Sequence, residues 1–458
     1  MSSKNSKIET YFVCQNCGYK SLKWLGRCPE CGEWNTFVEE KIDNILTSKK
    51  SKKDKKSVDI VSLKESINTY NSNYSRIFSG IDEWDKLLGG GLVKGALNLI
   101  GGEPGIGKST LMLQISQRYA SKGHKVYYIS GEESLTQILD RAKRLGVNNG
   151  NIYILTETDI DIILEKLRDL EIDILILDSI QTLYTNDLTS APGTVSQIKE
   201  VAFRVMNYSK KYNVATFLIG HITKTGDIAG PKILEHLVDG VFYFEGDRFY
   251  DYRILRCFKN RFGSTSEIAV FEMTEKGLVE VNNAEDIFLN NKDKIVPGIS
   301  IVPIVEGSRV IFIEIQALVT LSNYGQAQRV SLGIDHRKLS ILIAIIEKYL
   351  NIEMGRYDVF VNISGGLRIE DPYIDLGIII AILSSLGNYN FSKNFVAIGE
   401  VTLAGFVRSP SDLLKRVNQA KRLGYNKIIV GDIKEQIEKG SLIVVDEIRY
   451  IKSLLKTL

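Results

Sequence analysis

The segment Ala96–Ala120, ALNLIGGEPGIGKSTLMLQISQRYA, decides the fold. Its first five residues form a short apolar run suited to a buried strand, and its last ten carry helical spacing. Between them Gly102, Gly107, Lys108 and Ser109 fill the GxxxxGK[ST] pattern in the strand–loop–helix setting that this pattern requires. The residue types explain the chemistry. Glycines let backbone N–H groups turn inward around phosphates, and the helix N-terminus adds its positive dipole. Lys108 is expected to reach the β- and γ-phosphates, and the Ser109 hydroxyl to ligate magnesium. Gly102, Glu103, Pro104, Gly105, Ile106, Gly107, Lys108, Ser109 and Thr110 form the expected cradle for ATP.

A phosphate loop needs an acid at the end of a neighbouring strand. DIDIILEKLRDL (Asp159–Leu170) places Ile160, Ile163, Leu164 and Leu167 on one helical face. IDILILDS (Ile172–Ser179) then runs into an apolar strand of the type buried in parallel sheets, ending at Asp178. Asp178 reads as the carboxylate on the magnesium side. Ser179 and Ile180 follow it, so the water-activating group must lie elsewhere. The strand Val126–Ile129 ends in Glu132 and Glu133, at the carboxyl end where parallel sheets bind ligands. Either glutamate can orient the attacking water; the alternative is a surface helix cap. VATFLIGH (Val214–His221) is a further buried strand, and His221 at its end is either structural or a sensor of the γ-phosphate.

The ends of the chain differ in composition from this block. Four of the five cysteines, Cys14, Cys17, Cys28 and Cys31, form two CxxC pairs ten residues apart. Each pair sets two thiolates on one side of a tight knuckle, and two knuckles complete a tetrahedron around zinc. Disulfides do not suit a reducing cytosol, and a redox CxxC would not recur. So short a module cannot bury enough core alone, and the metal is expected to hold it together. Lys20, Lys23, Trp24 and Arg27 between the knuckles suit DNA or a protein partner alike. Cys257, alone in a strand-like run, is expected in the core. Residues 41–75 contain SKKSKKDKKS, a self-repelling run expected to be a linker. It serves either as a solubilising tether or as a contact to a phosphate backbone.

Bulk properties narrow the classes. At 458 residues, two or three domains are expected. An apolar fraction of 44% with 25% charged residues is that of a soluble globular protein. Net charge is only +3, so any nucleic-acid contact must come from local clustering. The N-terminus MSSKNSKIET lacks the apolar core of a signal peptide, and the longest apolar run, Leu376–Gly387, falls short of the roughly 20 residues that span a bilayer. A cytoplasmic protein with no membrane partner is expected.

KNRFG (Lys259–Gly263) follows the strand-like run DYRILRCF and places two cations beside a glycine, as if to hold an anion. Taken together, the phosphate loop, strand pattern and KNRFG resemble the RecA-type ATPase core. With the four-cysteine motif before it and the domain after it, nearly the whole chain resembles the RadA/Sms family of bacterial DNA repair proteins. The resemblance implies an α/β fold in successive parts. A small zinc ribbon covers 1–40 and a basic linker 41–75. A RecA-like P-loop ATPase domain with a central, mainly parallel sheet covers 76–290, and an α+β Lon-protease-like domain 295–458. It also implies a ring-forming homo-oligomer, hexameric, in which Lys259 and Arg261 reach the γ-phosphate of a neighbouring subunit. A solvated turn or an intrasubunit salt bridge is the alternative for that pair. The implied partners are single-stranded and branched DNA and RecA recombinase. The implied activity is DNA-stimulated ATP hydrolysis that drives branch migration and heteroduplex extension.

From Pro297 onward the chain reads as a hairpin around Glu306–Gly307–Ser308, then alternating strands and helices. GEVTLAG (Gly399–Gly405) resembles the proteolytic domain of Lon, which raises an ATP-dependent peptidase as the rival function. That chemistry needs a serine nucleophile and a lysine base close together. In EDPYIDLG (Glu370–Gly377) Tyr373 takes the place of the family's serine, and the lysine position falls near Leu414, one residue before Lys415. The domain is therefore expected to be inert as a peptidase and to serve as a scaffold. Arg329, Arg337, Lys338 and Arg356 are its candidate basic surface, without a continuous stripe. A third reading is an ATP-driven scaffold without DNA activity, like the clock ATPases that share the EES signature.

Overall fold

A computed structural model describes residues 9–14, 17–42, 62, 76–221, 234–246, 251–281, 289, 296–322, 327–366, 369–389, 395–433 and 442–455. The expected basic run at 48–57 lies outside the described residues. The chain divides into two compact units, 1–245 with 253–280, and 246–252 with 281–458. The four-cysteine module groups with the first unit. It is a three-stranded antiparallel sheet of β1 (Glu9–Cys14), β2 (Lys20–Ser21) and β3 (Phe37–Ile42), in the order β2-β1-β3. β3 passes the expected boundary at residue 40 because Ile42 pairs with Glu9.

The rest of the first unit opens with β4 (Arg76–Ile77), α1 (Asp82–Leu87) and β5 (Leu92–Val93). It continues through β6 (Leu97–Gly102), α2 (Lys108–Ser121), β7 (Val126–Ser130), α3 (Leu135–Leu145), β8 (Ile152–Thr156), α4 (Ile160–Leu167) and β9 (Ile174–Asp178). After α5 (Val195–Tyr212) come β10 (Ala215–His221), β11 (Gly240–Glu245), β12 (Tyr252–Asn260), β13 (Ile268–Thr274) and β14 (Gly277–Glu280). One nine-stranded sheet runs in the order β14-β13-β12-β11-β6-β10-β9-β7-β8. The six strands from β11 to β8 are parallel, as the continuous apolar runs predict.

Strand periodicity explains the burial. In β9, Ile174 and Ile176 join the cluster that α2 closes with Leu111, Met112 and Ile115, while Leu175 and Leu177 join the opposite cluster, closed by Ile160 and Ile163 of α4 and Val201 and Val205 of α5. Each such side chain removed from water contributes about 1.5–3 kcal/mol. Because the strands are parallel and in register, their carboxyl ends share one edge. Gly101 pairs beside Gly220, and Asp178 beside both Ser130 and Ile219.

The second unit is α+β. A four-stranded sheet β15-β16-β18-β17 is built from β15 (Ile299–Glu306), β16 (Arg309–Leu321), β17 (Arg329–Leu332) and β18 (Tyr357–Ile363). The hairpin turn falls at Gly307–Ser308, as expected. α6 (His336–Leu350) precedes β18, and α7 (Asp375–Gly387) follows it. β19 (Phe395–Ile398), the pair β20 (Glu400–Val401) and β21 (Val407–Arg408), α8 (Leu413–Arg422), β22 (Lys427–Val430), β23 (Leu442–Val444) and α9 (Ile451–Leu454) complete it. The run LGIIIAILSSLG lies in α7, buried from Leu376 to Ser384. No helix among the described residues is long and apolar enough to cross a membrane.

Candidate active site

α2 begins at Lys108, directly after the loop, with Gly107 in the left-handed region at φ +119°. A side chain there would be strained, and its Cβ would lie 2.9 Å from Met273. Lys108 is buried. Its ammonium donates to the carbonyls of Gly102 (2.8 Å) and Glu103 (2.9 Å) and to Nδ1 of His221 (3.1 Å). Burial pushes Lys108 down to about 8, with Asp178, Glu132 and Glu103 acting in the opposite sense. Asp178 at the end of β9 is buried too. It accepts a hydrogen bond from the Tyr128 hydroxyl of β7, and Ser109 lies close enough to lower its carboxyl as well. Burial still raises it above the ordinary carboxylate value. Its Oδ1 has no hydrogen-bond partner among the described residues. A buried carboxylate oxygen without a donor, beside a serine hydroxyl, fits a hard divalent cation such as magnesium.

The end of β10 links this pair to a glutamate. Lys108 only donates, so His221 Nδ1 accepts, and Nε2 carries the proton that it donates to Glu132 Oε1 at 2.8 Å. Ser179 also donates to Glu132. The His221 hydrogen bond, followed by burial acting in the opposite sense, leaves the Glu132 carboxyl below its ordinary value. Glu133 is used differently: it pairs with Arg141 of α3. The helix cap is Ser134, which forms a reciprocal box with Gln137. Lys108, His221, Glu132 and Ser179 thus form one connected chain, and Glu133 stands outside it.

KNRFG lies at the other end of the same sheet. β12 runs through Lys259 and Asn260, farther than the sequence indicates, because they pair with Val241 and Gly240 of antiparallel β11. Asp239 joins that edge to the start of β6, accepting from the Leu97 N–H (3.1 Å) and from Arg261 Nη1 (3.0 Å). The phosphate loop leaves from the far end of β6, about 17 Å of strand away. Lys259 donates to the carbonyls of Glu235 and Val238, the latter at 2.9 Å. Asn260 accepts from the Phe262 N–H at 2.8 Å. A Cβ on Gly263 would lie 2.5 Å from the Gly89 Cα, so this glycine lets two chain segments touch. Arg261 keeps its side chain 53% exposed while paired to Asp239. Asn260 and Gly263 therefore shape the turn, Lys259 holds the segment before β11, and Arg261 presents a guanidinium to solvent.

The cysteines form a separate site. All four Sγ atoms lie within 4.8 Å of one another, with Cys14–Cys31 at 3.7 Å and Cys17–Cys28 at 3.4 Å. Tetrahedral zinc with Zn–S bonds of about 2.3 Å needs S–S edges of about 3.8 Å, so the thiols fit that ion. The knuckles repeat one another: the Gly18 and Gly32 N–H groups donate to the Cys14 and Cys28 carbonyls at 2.8 and 2.9 Å. Burial raises the Cys17 thiol, an effect that a bound cation reverses by stabilising the thiolate. Cys257 packs in the core cluster beside α2.

Family matches follow the same order along the chain. Residues 12–39 match the rubredoxin metal binding domain, 67–227 an AAA domain, and 335–433 the ChlI subunit of Mg-chelatase. The DNA repair protein RadA of Halalkalibacterium halodurans is 44% identical over 431 residues, 93% of each chain. That of Aquifex aeolicus is 46% identical over 425 residues, 93% of this chain and 94% of the relative. The chain belongs to the RadA family of DNA repair proteins. Among solved structures, the RadB recombinase overlaps 45% of this chain and 100% of its own, with a TM-score of 0.37 and 21% identity.

This RadA-family chain carries a second buried charge cluster in its C-terminal unit. Tyr373 sits in the short turn Pro372–Ile374, capped by Asp371. Arg416 of α8 is 3% exposed and lies over the Tyr373 ring, its Cζ 5.4 Å from the centre. It pairs with Asp371 (2.8 Å) and Asp412 (2.9 Å) and donates to the Pro303 carbonyl (2.8 Å). Lys415 donates to the Gly307 carbonyl instead. Of the candidate basic residues, Lys338 pairs with the buried Asp375 (2.6 Å), whose carboxyl burial raises to about 6. Arg329 donates to the Met354 carbonyl, and Arg356 pairs with Glu353.

Sequence reasoning misses Tyr128, Ser179, Arg141 and Arg416. Tyr128 faces Asp178 only because β7 pairs with β9, and Arg416 meets Asp371 only through the packing of α8. Strand alternation alone signals that Tyr128 is buried, not what it touches.

Proposed function

We propose that this RadA-family chain is a cytoplasmic, DNA-stimulated ATP hydrolase whose pocket is completed by a neighbouring copy in a hexameric ring. The observation that carries this reading is the placement of Arg261 and the phosphate loop at opposite ends of β6. An arginine side chain does not span that distance, so Arg261 has no path to its own nucleotide. In a ring of identical subunits the KNRFG end of one sheet can face the phosphate end of the next. Such a trans-acting cation contributes roughly 10³–10⁵ in rate.

Within one protomer the roles divide. The loop N–H groups and Lys108 hold the β- and γ-phosphates. Ser109 and Asp178 would hold magnesium, which supplies charge neutralisation between those phosphates. Glu132 orients the attacking water. Its carboxyl is held below the ordinary value, so it acts as a positioning acceptor more than as a strong base, which suits the loose transition state of phosphoryl transfer. The water oxygen bonds to the γ-phosphorus, its proton passes to an oxygen of the departing phosphate, and the bridging bond breaks with its electron pair leaving on ADP. His221 senses the γ-phosphate because Lys108 must exchange His221 Nδ1 for phosphate oxygen. Glu133 supports α3 through Arg141.

The work done is on recombination intermediates. In this reading the chain binds single-stranded and branched DNA, acts with RecA recombinase, and extends heteroduplex by branch migration. The Lon-protease-like C-terminal domain serves as an inert scaffold. Tyr373 stands at the serine position with Arg416 over its ring, and Lys415 donates to the Gly307 carbonyl.

The test mixes two inactive variants. Lys108→Ala removes the phosphate cation, and Arg261→Ala removes the trans cation. Each alone should lose hydrolysis, and mixing should restore part of it at interfaces where both wild-type residues meet. Mixtures as inactive as their components would sink the shared pocket. Turnover that ignores both DNA forms would sink the DNA motor.

A further inference from the structure

The chain has three tryptophans, and they divide sharply. Trp84 is fully buried and its indole N–H donates to the Tyr119 hydroxyl at 3.0 Å. Trp24 and Trp34 are 53% and 66% exposed, on the four-cysteine module. Among the described residues its buried core cluster holds Cys14, Cys28 and Phe37, and Tyr19, Leu22 and Val38 are exposed as well. The two indoles converge. A Cβ built on Gly26 would lie 3.8 Å from the Trp24 ring and 3.9 Å from the Trp34 ring. Arg27 lies over Trp34 with its Cζ 5.8 Å from the ring centre, and its Nε is fixed by the Gly32 carbonyl at 2.9 Å. The stretch between the knuckles, Gly18–Arg27, carries Lys20, Lys23 and Arg27 and no carboxylate. All three cations are exposed.

We propose that this face of the zinc module is a base-stacking site for single-stranded nucleic acid. Trp24 and Trp34 take the bases, while Lys20, Lys23 and Arg27 take the backbone phosphates. The proposal rests on the DNA-acting reading above and adds a site to it. Indole faces accept any base, so the site is sequence-tolerant. Phosphate contacts by the three cations make it salt-dependent. A protein partner could also use exposed aromatic surface. However, Gly18–Arg27 offers three exposed cations and no carboxylate to a polyphosphate chain, while the exposed Glu30 and Glu33 lie in the second knuckle.

The tryptophan distribution makes the test direct. With Trp84 sealed in the core, any change in tryptophan emission on adding a ligand reports Trp24 and Trp34. Zinc-loaded full-length protein is titrated with oligo(dT), reading tryptophan emission beside the anisotropy of a labelled strand. The expected result is quenching that tracks binding. In Trp24→Ala/Trp34→Ala, with zinc content verified, the quenching disappears and affinity falls about five- to a hundredfold. Arg27→Ala, which keeps both rings, should quench but lower the salt dependence by about one phosphate contact. Undiminished affinity in the double variant, or flat emission while the strand binds, overturns the site and leaves the motor reading intact. Quenching by RecA recombinase but not by oligo(dT) assigns the face to a protein and overturns it equally. No strand binding by any readout, with no DNA-stimulated turnover, removes both readings together.

Discussion

The phosphate edge of the ATPase sheet and the Arg416 cluster of the C-terminal unit are both buried groups of charge, but they are finished differently. Around Arg416 both sides are satisfied: two aspartates, a carbonyl and an aromatic ring take up one guanidinium. At the phosphate edge Asp178 Oδ1 and Gln181 Oε1 are buried without hydrogen-bond partners among the described residues. Lys108 sits there against a desolvation cost that its neighbours only partly offset. Charges closed on one another make a joint, while charges left open make a receptor for something of opposite sign. Both clusters use residues at strand or helix ends, so position alone does not separate them.

The sharpest way to break this contrast is at the receptor's missing part. Arg261→Ala should lower the rate constant for ATP hydrolysis by about 10³–10⁵ while nucleotide affinity stays unchanged, measured by single-turnover hydrolysis and by binding of a fluorescent ATP analogue. A weaker nucleotide affinity with normal turnover would place Arg261 elsewhere. Glu132→Gln comes next, with an expected loss of about 10²–10⁴, whereas Glu133→Gln should stay within a few-fold of wild type. Reversed effects would put the water beside the wrong glutamate.

At the closed cluster, Arg416→Leu strands Asp371 and Asp412 and should cost about 3–5 kcal/mol, read as faster hydrogen exchange across α8. Unchanged exchange would show that the cluster is not a joint. The receptor's own charge can be titrated. Lys108 sits at about 8 in the free protein, below its ordinary value, so its cation is present below that pH and lost above it. ATP affinity should therefore weaken about tenfold per pH unit above 8, and Lys108→Arg should flatten the profile. The same depressed value means that the unfolded chain holds this proton when the native one does not, so Lys108's penalty on stability eases between about pH 8 and 10.5. The smallest expected effect is none: Tyr373→Ser should yield no casein cleavage, because Lys415 donates to the Gly307 carbonyl and Asp371 and Asp412 are held by Arg416.

Much of this was legible in the sequence because it is local. The phosphate loop, the CxxC knuckles and the buried strands each depend on residues within about ten positions of one another, where backbone geometry and periodicity dictate contacts. Asp178 and His221 could be named because a parallel strand's carboxyl end is readable from its apolar run. The choice between Glu132 and Glu133 was not readable, since both follow β7 and only the approach of His221 from β10 separates them. The exposed reach of Arg261 was likewise hidden, because it depends on Asp239 and on which end of β6 lies beside it.

By itself, the sequence determined the order of parts, the nucleotide cradle, the four metal thiols and the absence of a serine at position 373, all matters of residue identity at short spacing. Tertiary structure alone decided which glutamate joins Lys108, which KNRFG cation faces solvent, and how Arg416 is closed off. Those outcomes turn on strand pairing and helix packing between residues tens to more than a hundred positions apart. There the free energy of each contact depends on everything else packed around it.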